Sequence, residues 1–223
     1  MPVTILGERP LAAQTVRGTV LFADLRGYTT IAERLSPAVV VELLEAYFDL
    51  LASAVEGHDG TVFHLAGDSL MAGFGLAESG PEPTQLAVAA GRRIVAAFSP
   101  ESARWQRHYG VASGVGVGLH VGELAFAELG PAAHRRQTLI GDTVNIAARL
   151  CQRARAGEVL MTAAVAETLA GSAANGLMVL PDFALRGRGA TVRICCVPAR
   201  ERFTLEQMTI ERPAAGGLPA TPS

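Results

Sequence analysis

The chain has 223 residues, 49% of them hydrophobic and 18% charged, with a formal net charge of -2. That is room for one filled core in a single domain with tails, without the basic surplus of a nucleic-acid-binding surface. It has no apolar run of membrane-spanning length and no secretory leader pattern; its cysteines, Cys151, Cys195 and Cys196, are odd in number and lack metal-type spacing, so a reducing cytoplasm is expected.

Residues 1–16 show no periodicity and read as a flexible lead-in or linker. Residues 17–23 are apolar enough for a central strand, ending at Asp24 before a turn at Gly27. Ser36-Pro37 is a helix start, and the helix runs to about Val55 with Val39, Leu43, Leu44, Phe48, Leu51 and Val55 at helical spacing. His58-Asp59-Gly60 stops it. Residues 61–66 and 70–74 form a hairpin around Gly67-Asp68. A Pro/Gly loop precedes a helix over 84–98, and a polar linker leads to Ser113.

Residues 114–122 alternate glycine with apolar residues. They lack the Lys-Ser/Thr of a phosphate loop and open no helix, so close backbone packing is the better account. His120 within them reads as structural. Residues 123–129 pair back as a further strand, and a loop over 130–136 carries Arg135 and Arg136. Then comes Thr138–Leu150, TLIGDTVNIAARL: a short strand, a Gly141-Asp142 turn with Asp142 as N-cap, and a helix placing Asn145 and Arg149 on one face. A strand over 158–161, a helix capped by Thr162, and strands over 177–180, 183–186 and 191–197 follow. The tail from 201 reads as disordered from about Arg212. The pattern is α+β, helices against a mainly antiparallel sheet.

Three stretches carry chemistry: VLFADLRGYT (20–29), HLAGDSLMAGFG (64–75) and TLIGDTVNIAARL (138–150). Taken singly, Asp24 and Asp68 read as turn carboxylates, and Asn145 with Arg149 as an ordinary surface pair. Together, in this order, they resemble the class III nucleotidyl cyclases, the family of adenylate and guanylate cyclases, over about residues 17–197.

The resemblance implies a ferredoxin-like core with extra strands, a catalytic domain over 17–200, and conversion of a nucleoside triphosphate to a 3',5'-cyclic nucleotide and pyrophosphate. It implies two divalent ions, Mg2+ or Mn2+, on Asp24, Asp68 and the Leu25 backbone, with the backbone of Leu25, Arg26, Gly27 and Tyr28 cradling the triphosphate. Asn145 would orient the ribose, Arg149 would offset charge on the phosphate, and Arg186 would hold the terminal phosphates. His64 and Thr138 would read the base. It further implies a homodimer with composite sites, and an arm at 130–136 reaching the partner.

One position departs from the family. Adenylate cyclases usually carry Lys where this chain has His64, whereas Thr138 fits a bacterial subclass. Neutral His donates or accepts by tautomer, and Thr does both, so the pair forbids none of the four bases. ATP is expected first, with GTP, CTP or UTP as alternatives. A catalytically silent regulatory module of the same fold is the competing reading. A diguanylate cyclase is set aside because its Gly-Gly-Asp/Glu-Glu-Phe turn is absent.

Overall fold

In the computed structural model the described residues are 13–76, 83–169, 174, 176–184 and 191–198. Strand β1 (Gln14–Arg26) is apolar on both faces: Leu21, Ala23 and Leu25 enter one core, Val20 and Phe22 another. It is longer than expected at both ends, because its ladder with a long neighbour runs unbroken from Gln14↔Phe126 to Arg26↔Gly114. Residues 14–16, expected as lead-in, are therefore strand. Residues 1–12 and the tail from 201 lie outside the described residues.

Helix α1 (Tyr28–Arg34) is followed by α2 (Pro37–Glu56), with Ser36 at the N-cap and Pro37 in the first turn, where a missing N–H loses no bond. Val40, Leu43, Tyr47, Leu51, Ala54 and Val55 form its buried face, flanked by half-buried Val39, Leu44 and Phe48. Strands β2 (Thr61–Ala66) and β3 (Ser69–Phe74) make the expected hairpin.

Helix α3 (Pro83–Tyr109) overturns the expected linker after residue 98. It continues through Pro100, although proline in a helix interior costs about 3 kcal/mol. Phe98, Ser102 and Trp105 share its inner face, and the Phe98 and Trp105 rings meet edge-on at 5.1 Å. Complete burial of side chains this large stabilises by roughly 2–3 kcal/mol each, and the Ser102 hydroxyl donates to the Ser113 carbonyl at 2.6 Å. Together these offset the proline.

Strand β4 (Gly114–Leu129) does not turn at Gly122-Glu123 as expected. It is one strand of 16 residues, and β5 (Arg136–Ile140) folds back on its second half. Next come α4 (Asp142–Arg153), β6 (Val159–Thr162), α5 (Ala163–Ala166), β7 (Met178–Ala184) and β8 (Thr191–Val197). The two strands expected over 177–186 are one strand, β7, whose register shifts between Leu180 and Phe183. Pro181, lacking an N–H, sits in that irregularity.

The β-α-β-β-α-β succession from β1 to β4 gives the ferredoxin-like order β2-β3-β1-β4, extended by β6, β8 and β7, with β5 on β4. All pairings are antiparallel except β4 with β6. Helices α2 and α3 cover one face, α3 packing on β4 and β1, and α2 on α3 and the β2–β3 hairpin, in a core that includes Val115, Val117, Leu119 and Val121. The alternate glycines face α4. A Cβ at Gly118 would collide with the backbone of Ala147 and Cys151, so α4 lies directly on the strand without an intervening layer of side chains.

Candidate active site

Alternation along β1 places Asp24 and Arg26 on the same side as Val20 and Phe22, beneath α4. Asp24 is paired with Ser69, the first residue of β3. The next residue, Leu25, donates its amide to the Asp68 carbonyl at 3.2 Å. The tip of the β2–β3 turn is thereby clamped against the end of β1. Gly67 supplies the left-handed φ of 60° that this two-residue turn requires. Asp24 and Asp68 thus reach the same end of the sheet from two elements.

The Asp68 carboxyl is pushed above its ordinary range, first by burial and then by the negative charge of Asp24, with its own backbone hydrogen bond and Arg26 acting the other way. Two carboxylates brought to one end of the sheet favour a shared cation. Hard oxygen donors suit Mg2+ or Mn2+, which typically take one or two protein carboxylates and complete their shell with substrate oxygens. Among the described residues, no group of three or more His, Cys, Asp or Glu is placed to hold a metal by itself. The donor set fits a divalent ion.

The backbone cradle expected over Leu25 to Tyr28 needs one correction. The Leu25 amide is engaged by Asp68, so the amide donors for a phosphate begin after it. Gly27, at φ 86°, turns the chain into α1, and the Tyr28 side chain packs against the core. The Arg26 side chain, for which no role was expected, turns inward. Its Nε donates to the Ala154 carbonyl at 2.9 Å, and its other nitrogens bond the Asp24 carboxylate and the Cys151 carbonyl. The available signal was the two-residue spacing from Asp24 on a strand, which puts both side chains on one face.

Helix α4 starts at its expected cap, one residue earlier than predicted. Gly141 occupies the cap position, and Asp142 is the first helical residue, its negative charge set at the positive end of the helix dipole. The Thr143 hydroxyl pins this end to the Glu123 carbonyl at 2.5 Å. Thr143, Ile146, Ala147, Leu150 and Cys151 are buried, whereas Asn145 is exposed and Arg149 half-buried, one turn apart. Arg26 meets the opposite end of the helix, about 9 Å along the axis from Asn145.

His64 is exposed on β2, and half-buried Thr138 lies on β5 opposite Ala127. Each adjoins a member of one apolar cluster, Phe63 and Leu139, which brings the two strands together. Arg186 lies outside the described residues.

His120 is held between strands, its Nδ1 2.9 Å from the Thr162 hydroxyl. Burial pushes its pKa below the ordinary 6.5, with Arg17 adding to the effect and Asp142 opposing it. The unfolded chain therefore takes up this proton more readily. Stability present above about pH 6.5 is lost as pH falls toward the depressed folded value. His120→Gln should flatten the fall in Tm between pH 7.5 and 5.5; equal slopes for both proteins would remove His120 from the acid response.

Residues 12–195 match the family model of the adenylate and guanylate cyclase catalytic domain. The chain belongs to that family. Adenylate cyclase 1 of Rhizobium meliloti is 32% identical over 136 residues, 59% of this chain and 20% of that protein. The adenylyl cyclase CyaB from P. aeruginosa superposes with a TM-score of 0.77 at 24% identity, over 86% of this chain and 98% of that one. A crystallised guanylyl cyclase superposes at 0.72 and 25% identity, over 84% and 94%. The chain spans between 20% and 26% of the length of the curated relatives it matches first. No helix among its described residues is long and apolar enough to cross a membrane.

Proposed function

We propose that this chain is an active nucleotidyl cyclase, with ATP as its first substrate, working as a homodimer with two composite sites. The observation that carries this reading is the clamp of Leu25 on Asp68, which holds two carboxylates at one end of the sheet. Exposed Asn145 and half-buried Arg149 lie one turn apart on α4. Divalent ions on Asp24, Asp68 and the Leu25 carbonyl would acidify the ribose 3'-hydroxyl and steady the departing pyrophosphate.

The chain's own residues do the rest. Asn145 hydrogen-bonds and orients the ribose. Arg149, a permanently charged fork, offsets the charge growing on the α-phosphate. Arg186 receives the terminal phosphates, and the amides around Gly27 and Tyr28 supply neutral donors to the same group. The base edge meets His64 and Thr138. In this assignment Asp24 and Asp68 of one subunit work with α4, His64 and Thr138 of the other. A cavity of about 560 Å³ between α3 and the starts of β4 and β6, lined by Arg92, Phe98, Ser102 and Val159, contains none of them.

The test is a product assay with Mn2+ and, separately, ATP, GTP, CTP and UTP. Cyclic product from one nucleotide establishes both the activity and the base selected. His64→Lys should then raise the preference for ATP over GTP by about tenfold or more, one well-made polar contact to the base. An unchanged profile would show that His64 does not read the base. No product from any nucleotide, with the protein dimeric, would favour the silent regulatory module, the reading that His64 in place of Lys supports.

A further inference from the structure

Arg26 joins two parts of the site that the proposed mechanism treats separately. Its guanidinium bonds the Asp24 carboxylate on one side and the carbonyls of Cys151 and Ala154, the last turn of α4, on the other. The fit is built in. A Cβ at Gly116 would come within 2.6 Å of the guanidinium and 3.0 Å of the Ala154 carbonyl, so the glycine opposite keeps the slot open. The helix end in turn presents two carbonyl oxygens, Cys151 and Ala154, to a cation at the negative pole of its dipole. The side chain is about four-fifths buried, and its five donors make a planar fork that one lysine ammonium cannot reproduce.

We propose that Arg26 is a positioning residue that couples divalent-ion binding at Asp24 to the seating of α4. This inference rests on Asp24 being a metal carboxylate. Arg26 and the metal ion share one anion. When the ion draws on the Asp24 charge, the guanidinium's bond to Asp24 weakens and its bonds to Cys151 and Ala154 tighten. The last turn of α4, two turns beyond Asn145, is then held more firmly against β4. In a dimer with composite sites the consequence crosses between them: Asp24 serves one site, while the Asn145 and Arg149 of that same chain serve the other. Arg26 is the direct side-chain tie between the two.

The experiment measures Mn2+ binding by electron paramagnetic resonance, and amide exchange over residues 150–155 with and without Mn2+, in four versions of this chain. The native chain should bind Mn2+ and slow its exchange in this segment when it does. Arg26→Ala, freed of a competing cation, should bind Mn2+ about tenfold more tightly, with 150–155 exchanging faster and indifferent to the ion. Arg26→Lys keeps the charge without the fork; its Mn2+ affinity should stay near native while the response of 150–155 disappears. Asp24→Asn should lose Mn2+ binding. If Asp24→Asn binds Mn2+ as the native chain does, or the native chain binds none, the metal assignment falls and the coupling with it. If Mn2+ binds through Asp24 but leaves 150–155 unchanged, or Arg26→Ala binds it no more tightly, the coupling alone is overturned.

Discussion

Asp68→Ala is expected to remove cyclase turnover by at least about a thousandfold, the equivalent of roughly 4 kcal/mol of barrier, while leaving the fold in place. The two outcomes separate because the residue makes its structural bond with its backbone. The clamp from Leu25 ends on the Asp68 carbonyl, which alanine retains, and Gly67 rather than Asp68 supplies the unusual turn conformation. The carboxylate is only half-buried at a hairpin tip, where substitutions usually change stability by less than about 0.5 kcal/mol. Turnover with Mn2+ alongside a circular dichroism melt decides the matter. Activity within a few-fold of native would take Asp68 out of the metal site. A large drop in Tm accompanying the loss would make its role structural.

The second large effect is a recovery. Asp68→Ala and Arg149→Ala should each be inactive alone, the latter by about a hundred- to a thousandfold, as for loss of one donor to transition-state charge. Co-expressed, they should regain roughly a quarter of native activity. Random pairing makes half of the dimers mixed, and in a mixed dimer one of the two composite sites receives both native contributions. Purification through two different tags isolates that species. A purified mixed dimer that stays inactive would overturn the division of the site between subunits.

The fold was legible where one physical signal dominated. Ser36-Pro37 and the spacing from Val39 to Val55 marked α2, and Gly67-Asp68 between two apolar runs marked the hairpin. The alternate glycines of β4 were read correctly as backbone packing, though not the partner, which is α4. The misses occurred where a local stop signal was outweighed by tertiary burial. The segment after residue 98 looked like a polar linker, yet Trp105 and Ser102 continue the buried face of Phe98. Gly122-Glu123 looked like a turn, yet β1 and then β5 supply ladder partners on either side of it. Of the candidate site, motif context marked Asp24, Asp68, Asn145 and Arg149. The Arg26 tie was hidden because its partners on α4 are 125 and 128 residues away; only the strand-mate Asp24 was local.

The place of β2 at the end of the sheet, with His64, Leu65 and Ala66 all exposed, has a consequence for how such an enzyme changes over generations. Residues that fill a core are constrained by every neighbour, so an altered preference encoded there would be purged as misfolding. Under the proposed assignment the base is read at this rim instead, where exchanging His64 for a donor or an acceptor disturbs no packing. The catalytic groups and the reader are separately mutable. A lineage can therefore try one nucleobase after another without first losing a foldable protein.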